Sequence, residues 1–194
     1  MGIRAMRQRQ FRRRRYVLTL FAALLLVTML VAGGVLLSRS RGVRPAAQAE
    51  MLVLRERSKT AGCATAASLP DPDCTPGAVF AAVTANEICR RGYARSVRDV
   101  STDTKRQVYA EYGTRNPGRG GFEVDHLIGL ELGGSNDIAN LWPEAAEPRP
   151  GFHEKDRFED YLHDRVCSGR MALTEAQREI AENWLWYWEQ AGRP

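Results

Sequence analysis

Acidic residues are absent from the first 49 positions of this 194-residue chain. The same stretch contains ten of the 28 lysines and arginines, seven of them within residues 1–15. From Glu50 onward, 18 basic residues stand against 23 acidic ones, a net charge of −5. The overall charge of +5 therefore comes from the N-terminal part, and it does not predict a basic nucleic-acid-binding surface on the remainder.

The composition also lacks the bias of a disordered or fibrous chain. Hydrophobic residues make up 44% of the sequence and charged residues 26%, and no segment is repeated. These values exclude whole-chain disorder and collagen-like repeats. The length suits one domain of ordinary size plus a tail.

Charge is missing from one long apolar run at residues 16–37. A helix of this length rises about 33 Å, enough to cross a hydrocarbon core of about 30 Å. Because arginine-rich flanks stay in the cytoplasm, the sequence predicts residues 1–15 as a basic cytoplasmic tail, residues 16–37 as a single-pass transmembrane helix, and an extracytoplasmic C-terminal part. The alternative is a signal peptide cleaved after the Ala-x-Ala site at 47–49, which would yield a secreted protein.

No cysteine pair has the C-x-x-C spacing, which argues against a zinc knuckle. All four cysteines follow the apolar run, and an even number in an exported chain predicts two disulfides. Three pairings are possible and the sequence does not choose among them. Our expectation is Cys89–Cys167, which would join the two ends of the domain, together with Cys63–Cys74.

The domain boundaries follow from composition. Residues 38–73 are rich in Arg, Ala, Ser and Pro and are predicted to be a linker, so the folded domain is expected over residues 74–190. Within it, Ser101 or Thr102 is predicted to cap a short helix that stops at Gly113.

The rest of the domain predicts one strand and two helices. Residues 122–132 alternate and are predicted to form a strand before a Gly-Gly turn, and residues 154–167 have helical spacing. A capping-box pattern at Thr174 predicts a last helix. That helix is expected to bury Ile180, Trp184 and Trp188 and to expose Trp186. Together these elements predict a small α+β domain.

Histidine is scarce, with three in the chain, and His126 and His153 lie in or just after one unusual segment. That segment, residues 123–142, reads EVDHLIGLELGGSNDIANLW. In phosphodiester hydrolysis, a neutral imidazole can take the proton of the attacking water near pH 7. A divalent cation, Mg²⁺, Mn²⁺, Ni²⁺ or Zn²⁺, can stabilise the charge on phosphorus with oxygen and imidazole ligands.

The run D-H-x-I-x-L-x-x-G-G-S-N-x-x-x-N-L resembles the signature of the HNH endonucleases, the His-Me or ββα-metal finger. In that family two antiparallel strands and a helix hold one catalytic metal. The resemblance implies His126 as the general base, Asn140 as the residue that orients the loop and the base, and Asp125 and His153 as metal ligands. Because neighbouring residues of a strand face opposite ways, a bend is needed before Asp125 and His126 can serve one site.

A wider stretch, from about Cys74 to Trp188, resembles a group of exported bacterial HNH-like proteins. The pieces that carry this resemblance are CTPGAV, EICRRGY, the HEKDRFEDYL run, VCSG and LTEAQREI. It implies a ββα-metal finger core with additional helices. The chain departs from the family pattern in three places. Gly129 stands where the family often has Pro, the gap from Asn140 to His153 is long, and Arg157 stands where many relatives have a further ligand, which leaves water, phosphate or Asp156 to complete the set.

Two functions follow from these residues. The first is a metal-dependent endonuclease in a bacterial cell membrane, anchored through residues 16–37, that hydrolyses nucleic acid outside the cytoplasm, DNA in preference to RNA. The alternative is a non-catalytic HNH-like envelope module that binds a protein or cell-wall partner, a hypothesis that the acidic net charge favours. Asn136 is expected to be a turn residue and His163 a structural residue on a helix.

Overall fold

The computed structural model describes residues 51–115 and 121–194. The predicted cytoplasmic tail, transmembrane helix and Ala-x-Ala site lie outside these residues. Within the described part, no helix is both long and apolar enough to cross a membrane. The described residues belong to one compact unit, Ala49–Pro194.

The described chain is mixed α+β, as the sequence predicts. Two separate antiparallel two-stranded sheets, β1–β2 and β3–β4, are accompanied by five α-helices and two short 3₁₀ helices. In chain order the elements are β1 Met51–Val53, β2 Ala78–Phe80, α1 Ala85–Ile88, α2 Tyr93–Val97, α3 Thr102–Glu111, β3 Phe122–His126, the 3₁₀ helices Leu130–Leu132 and Ile138–Asn140, β4 Leu141–Ala145, α4 Phe152–Cys167 and α5 Leu173–Gln190.

The hairpin of β3 and β4 positions the candidate site. The two strands pair antiparallel from Phe122 opposite Ala145 to His126 opposite Leu141. The prediction that the strand continues to residue 132 is wrong, because β3 ends at His126. Leu127 and Ile128 are adjacent yet both fully buried, which a strand with one face against the core does not allow, since neighbouring side chains point to opposite faces.

The core lies mainly between the last two helices and the loop after β3. Ile180, Trp184 and Trp188 of α5 pack with residues of α4 and of this loop in one apolar cluster, while Trp186 is 51% exposed. This confirms the predicted buried face. The capping-box prediction is wrong in detail, because α5 begins one residue before Thr174, with Ala172 at the N-cap and no side-chain cap.

The other predicted helices also form. Helix α3 begins after Ser101, whose hydroxyl accepts a hydrogen bond from the Thr104 backbone N–H. Gly113 follows the helix with a left-handed φ of 62°. Helix α4 runs two residues longer at its start than predicted, and Gly169 follows its end at φ 72°. Glycine suits both positions because its φ is unrestricted.

The folded unit begins earlier than the predicted linker boundary. Strand β1 pairs antiparallel with β2, and the Trp184 indole N–H donates to the Ser68 carbonyl at 2.7 Å. The Arg57 guanidinium forms an ion pair with Glu111 of α3. The part of the predicted linker from residue 51 onward therefore packs against the domain.

Both expected disulfides form. Cys63 is bonded to Cys74, and Cys89 to Cys167. The second bond fastens the chain just after α1 to the last residue of α4, with a sequence separation of 78 between the partners.

Candidate functional site

Asn140 fastens the open end of the hairpin. Its side-chain amide N–H groups donate to the carbonyls of Ile128 at 3.0 Å and Ser135 at 2.9 Å. Its side-chain oxygen accepts from the Ile128 N–H at 3.0 Å and, more distantly, from the Ala78 N–H at 3.4 Å. The fully buried amide therefore uses all its donors and acceptors on backbone groups of the loop and of β2. This arrangement matches a residue that orients the loop after His126.

The Gly-Gly turn is needed for the same loop to close. A Cβ placed on Gly134 would lie 1.7 Å from the Ile128 carbonyl oxygen. The Gly134 N–H donates to the Gly129 carbonyl at 3.0 Å, and the next residue's N–H donates to Ala78 of β2 at 2.9 Å. No side chain fits between these backbone segments, so the GGSN run is a packing requirement as well as a turn.

His126 is buried at the end of β3, with 1% of its surface exposed. Its Nε2 lies 3.2 Å from the side-chain oxygen of Asn136. That oxygen also accepts the Asp99 N–H, and the Asn136 amide donates to the Val97 carbonyl at 2.7 Å. These backbone partners orient the Asn136 amide so that its oxygen, which can only accept, faces the imidazole. Nε2 must therefore carry a hydrogen, and the proton-accepting nitrogen of the neutral ring is Nδ1.

The environment keeps this imidazole neutral. Burial lowers the pKa of His126, and the nearby Arg98 and Lys155 cations lower it further, while Asp125 and the Asn136 hydrogen bond act in the opposite direction. The net effect is a pKa below the ordinary value of 6.5. A neutral imidazole near pH 7 can accept a proton, as a general base requires.

Asp125 faces away from His126, toward helix α4. Its carboxylate accepts a hydrogen bond from the Lys155 ammonium at 2.6 Å. Burial alone would raise the pKa of Asp125, but the charge and hydrogen bond of Lys155 hold it below the ordinary value. Asp125 and His126 therefore engage different partners on opposite sides of β3.

Lys155 is fully buried and occupies the centre of an oxygen-lined site between the hairpin and α4. Besides Asp125, its ammonium donates to the His126 carbonyl at 2.7 Å and to the Glu159 carboxylate at 2.5 Å. A lysine ammonium has three N–H donors, so all of them are used. Burial would lower the pKa of Lys155, but the surrounding carboxylates outweigh it and hold the pKa well above its usual range.

Glu144 of β4 is the fourth acidic or carbonyl group at this site. Its nearer oxygen lies 3.9 Å from the Lys155 nitrogen, and neither of its oxygens accepts a hydrogen bond from a residue that the structure describes. Burial holds its pKa well above the usual range, with the Asp125 charge adding to the effect. A neutral Glu144 carboxyl that donates a hydrogen bond to the Asp125 carboxylate supplies this partner.

Gly129 makes room for Glu159. A Cβ on Gly129 would lie 2.7 Å from the Glu159 carboxyl group and 2.5 Å from a side-chain oxygen of Glu131. Gly129 is also the position at which the chain departs from the Pro of the family pattern. Glycine at residue 129 therefore leaves the space that the Glu159 carboxylate occupies where it binds Lys155.

His153 lies at the start of α4, as expected, but it is exposed. Its ring packs on Phe152, with 4.3 Å between ring centroids, and within the described ranges it has no hydrogen-bond or ion-pair partner. Arg157 is engaged with Glu154 at 2.9 Å, and Asp156 is exposed. The structure thus brings Asp125, His126 and Asn140 to one hairpin end, with His153 outside their hydrogen-bond network.

The cation beside Asp125 in the structure is the Lys155 ammonium. One Asp125 carboxylate oxygen accepts from the Lys155 ammonium at 2.6 Å, and the same ammonium also binds the His126 carbonyl and the Glu159 carboxyl group. In the described part of the chain, three potential ligands converge only at Cys89, His163 and Cys167, whose cysteines form the disulfide. Those sulfurs are not available as thiolates. The divalent metal and its ligands Asp125 and His153 remain a prediction from the sequence.

Sequence reasoning missed the three buried residues that surround Asp125: Glu144, Lys155 and Glu159. One signal was present, since Lys155 and Glu159 are spaced i and i+4 and so lie on one helix face. Phe158 and Leu162 of the same helix are also fully buried. A charged pair beside such apolar positions is a sign of a buried ion pair.

Comparison with known proteins provides no independent assignment: no family model, no curated protein and no solved structure matches this chain. The resemblance to HNH endonucleases therefore depends on the residues of the hairpin and helix alone.

Proposed function

We propose that the domain is a phosphodiester hydrolase of the HNH type that cleaves nucleic acid outside the cytoplasm, with His126 as the general base. The observation that supports it is the position of His126 at the end of an antiparallel hairpin, with Nε2 3.2 Å from the Asn136 side-chain oxygen and a pKa that burial lowers below the ordinary value. In this proposal Nδ1 takes a proton from the attacking water, and Asn140 holds the loop that carries Asn136.

The phosphate needs a cation beside this base. Arg98 is exposed, and it lies close enough to His126 for its charge to affect the imidazole pKa. A guanidinium can bind two phosphate oxygens at once, so Arg98 is the proposed phosphate contact.

The proposed location is a bacterial cell membrane, with residues 16–37 as the anchor and the domain on the outer side. Two disulfides in the domain support an oxidising compartment. DNA is the proposed substrate in preference to RNA.

Cleavage of supercoiled plasmid by the full chain, purified in mild detergent, tests the proposal. We expect nicking that falls about 100-fold or more in His126→Ala, the contribution typical of a general base. His163→Ala is the matched control, since His163 lies by the Cys89–Cys167 bond and outside the site. Each protein is assayed with a chelator and with Mg²⁺, Mn²⁺, Ni²⁺ or Zn²⁺. Equal cleavage by wild type and His126→Ala, or no cleavage under any of these conditions, would refute the proposal.

A second candidate, the non-catalytic envelope module, is favoured by the burial of His126 and by the Lys155 ammonium on Asp125. Both observations describe a motif used as a scaffold. Calorimetry with a short DNA duplex separates the candidates, because the scaffold is expected to bind no DNA beyond that bound by the basic tail. A full-length variant with Arg12–Arg15 replaced by Ser removes most of that background.

A further inference from the structure

We propose that the Lys155 ammonium is the built-in cation of the hairpin–helix site, so that this chain closes the motif without a divalent metal. The inference concerns the same site as the proposed function and rests on it for its relevance to catalysis. Its test is independent, because it measures metal binding and stability and not cleavage.

The first argument is geometric. The Lys155 nitrogen lies where the hairpin and α4 meet, bound to Asp125 of β3, to the main chain of His126 and to Glu159 of its own helix. These are the kinds of oxygen ligand that a hard cation takes, carboxylates and a carbonyl. The ammonium therefore makes the links between β3 and α4 that a metal would otherwise make.

The second argument is steric. Lys155 is 0% exposed, so its nitrogen has no contact with solvent from which a hydrated ion could reach it. Gly129 allows the Glu159 carboxylate to reach the ammonium, since any Cβ at that position would collide with it. Gly129 thus makes room for the carboxylate that binds the Lys155 ammonium.

The third argument concerns charge. Asp125 and Glu159 both bind a single ammonium, and the neutral Glu144 carboxyl lies 3.9 Å from its nitrogen. A divalent ion bound beside Lys155 would be repelled by the nearby ammonium. A divalent ion bound in place of the ammonium would require the whole lysine side chain to leave a buried position. Neither rearrangement is available to a close-packed interior at small cost.

The test begins with the wild-type full chain in detergent. Isothermal titration with Mn²⁺ is expected to show no site that depends on Asp125, and the Tm is expected to be the same with a chelator as with Mn²⁺. One Mn²⁺ per chain, bound by wild type and lost in Asp125→Asn, would overturn the inference. Binding that Asp125→Asn retains belongs to another site and leaves the inference standing.

Lys155→Ala provides the second arm. Truncation leaves buried carboxylates without their cation, and we expect the Tm to fall by about 10 °C or more. n-Propylammonium has the atoms that the substitution removes, and it is expected to raise the Tm of this variant but not that of wild type. Lys105→Ala, at an exposed lysine of α3, is the matched control. A Lys155→Ala chain as stable as wild type would overturn the inference.

The two arms also separate this inference from the proposed function. If Lys155→Ala does not fold, the Mn²⁺ titration of wild type decides the inference. If plasmid is not cleaved by any form of the protein, the hydrolase proposal fails while the metal-binding result still stands. Cleavage by wild type in chelator would support both.

Discussion

Asn140 is the residue whose side chain holds the most backbone groups of the candidate site. We expect Asn140→Ala to lower the free energy of unfolding by about 3 kcal/mol, because it leaves the buried Ile128 and Ser135 backbone groups without partners. Urea denaturation followed by tryptophan fluorescence measures the change. Asn86→Ala, at an exposed position in α1, is the control and is expected to change stability by less than about 0.5 kcal/mol. A loss as small as that of the control would show that water replaces the Asn140 amide.

The raised pKa of the buried Glu144 carboxyl is expected to make the stability of the protein depend on pH. The folded chain keeps this carboxyl protonated above pH 4.5, the ordinary pKa of glutamate, whereas the unfolded chain has released the proton. The folded pKa is raised, so the stabilising contribution is full below the unfolded pKa and is lost as pH rises toward the folded pKa. The slope for one proton is at most about 1.4 kcal/mol per pH unit.

Glu144→Gln imitates the neutral acid, and we expect its unfolding free energy to fall less steeply than that of wild type between pH 4.5 and pH 8. Urea midpoints across this range measure the two slopes. Glu175→Gln, at an exposed position at the start of α5, serves as the control and should follow wild type. Identical slopes for Glu144→Gln and wild type would mean that Glu144 is ionised in the folded protein.

At the residue scale, the sequence was sufficient to place Asn140 and His126 at one hairpin end, because the GGSN run and the spacing to Asn140 are local features. It was not sufficient to find the partner of Asp125. Lys155 lies 30 positions away along the chain, and a lysine on an amphipathic helix is normally solvent-exposed. Only the packing of α4 against the hairpin shows that its ammonium is buried.

Among the elements, the two disulfides are expected to differ in their contribution to stability. The Cys89–Cys167 bond closes a loop of 78 residues and the Cys63–Cys74 bond one of 11. The chain-entropy model gives about 4.5 kcal/mol for the longer loop and about 3 kcal/mol for the shorter one.

Replacing both cysteines of one pair by serine tests this order. We expect the Cys89→Ser, Cys167→Ser chain to lose more stability than the Cys63→Ser, Cys74→Ser chain, as measured by guanidinium denaturation without reductant. Wild type in reductant should be less stable than either variant. The reverse order would indicate that the segment around Cys63 depends on its bond for native packing and not only for chain entropy.

Secondary structure was predictable to different degrees for physical reasons. Helix α3 was clear because a serine cap and a following glycine mark its ends. Strand β3 was predicted too long, because buried residues 127–132 look like a continuation of an alternating strand until Asn140 and Gly134 fold them into a loop. The pairing of residues 51–53 with β2 was missed, because it depends on tertiary contacts and the Pro-rich sequence nearby does not predict a strand.

For the whole molecule, the charge and hydropathy of residues 1–37 predict membrane attachment. We expect the full chain to stay in the membrane fraction after an alkaline carbonate wash, because a spanning helix is held by the hydrocarbon core and not by charge. Immunoblotting of the washed pellet measures this. A chain lacking residues 2–37 is the control and should be released. Release of the full chain would support the alternative of a secreted protein.

The contact between Trp184 and Ser68 has a consequence for the order in which the protein matures. Ser68 lies early in the domain, while Trp184 belongs to its last helix, 116 positions further along the chain. The beginning of the domain therefore cannot complete this contact until the last helix has been synthesised. In the proposed export to the outer side of the membrane, the domain would cross unfolded and complete its folding only after its last helix has followed.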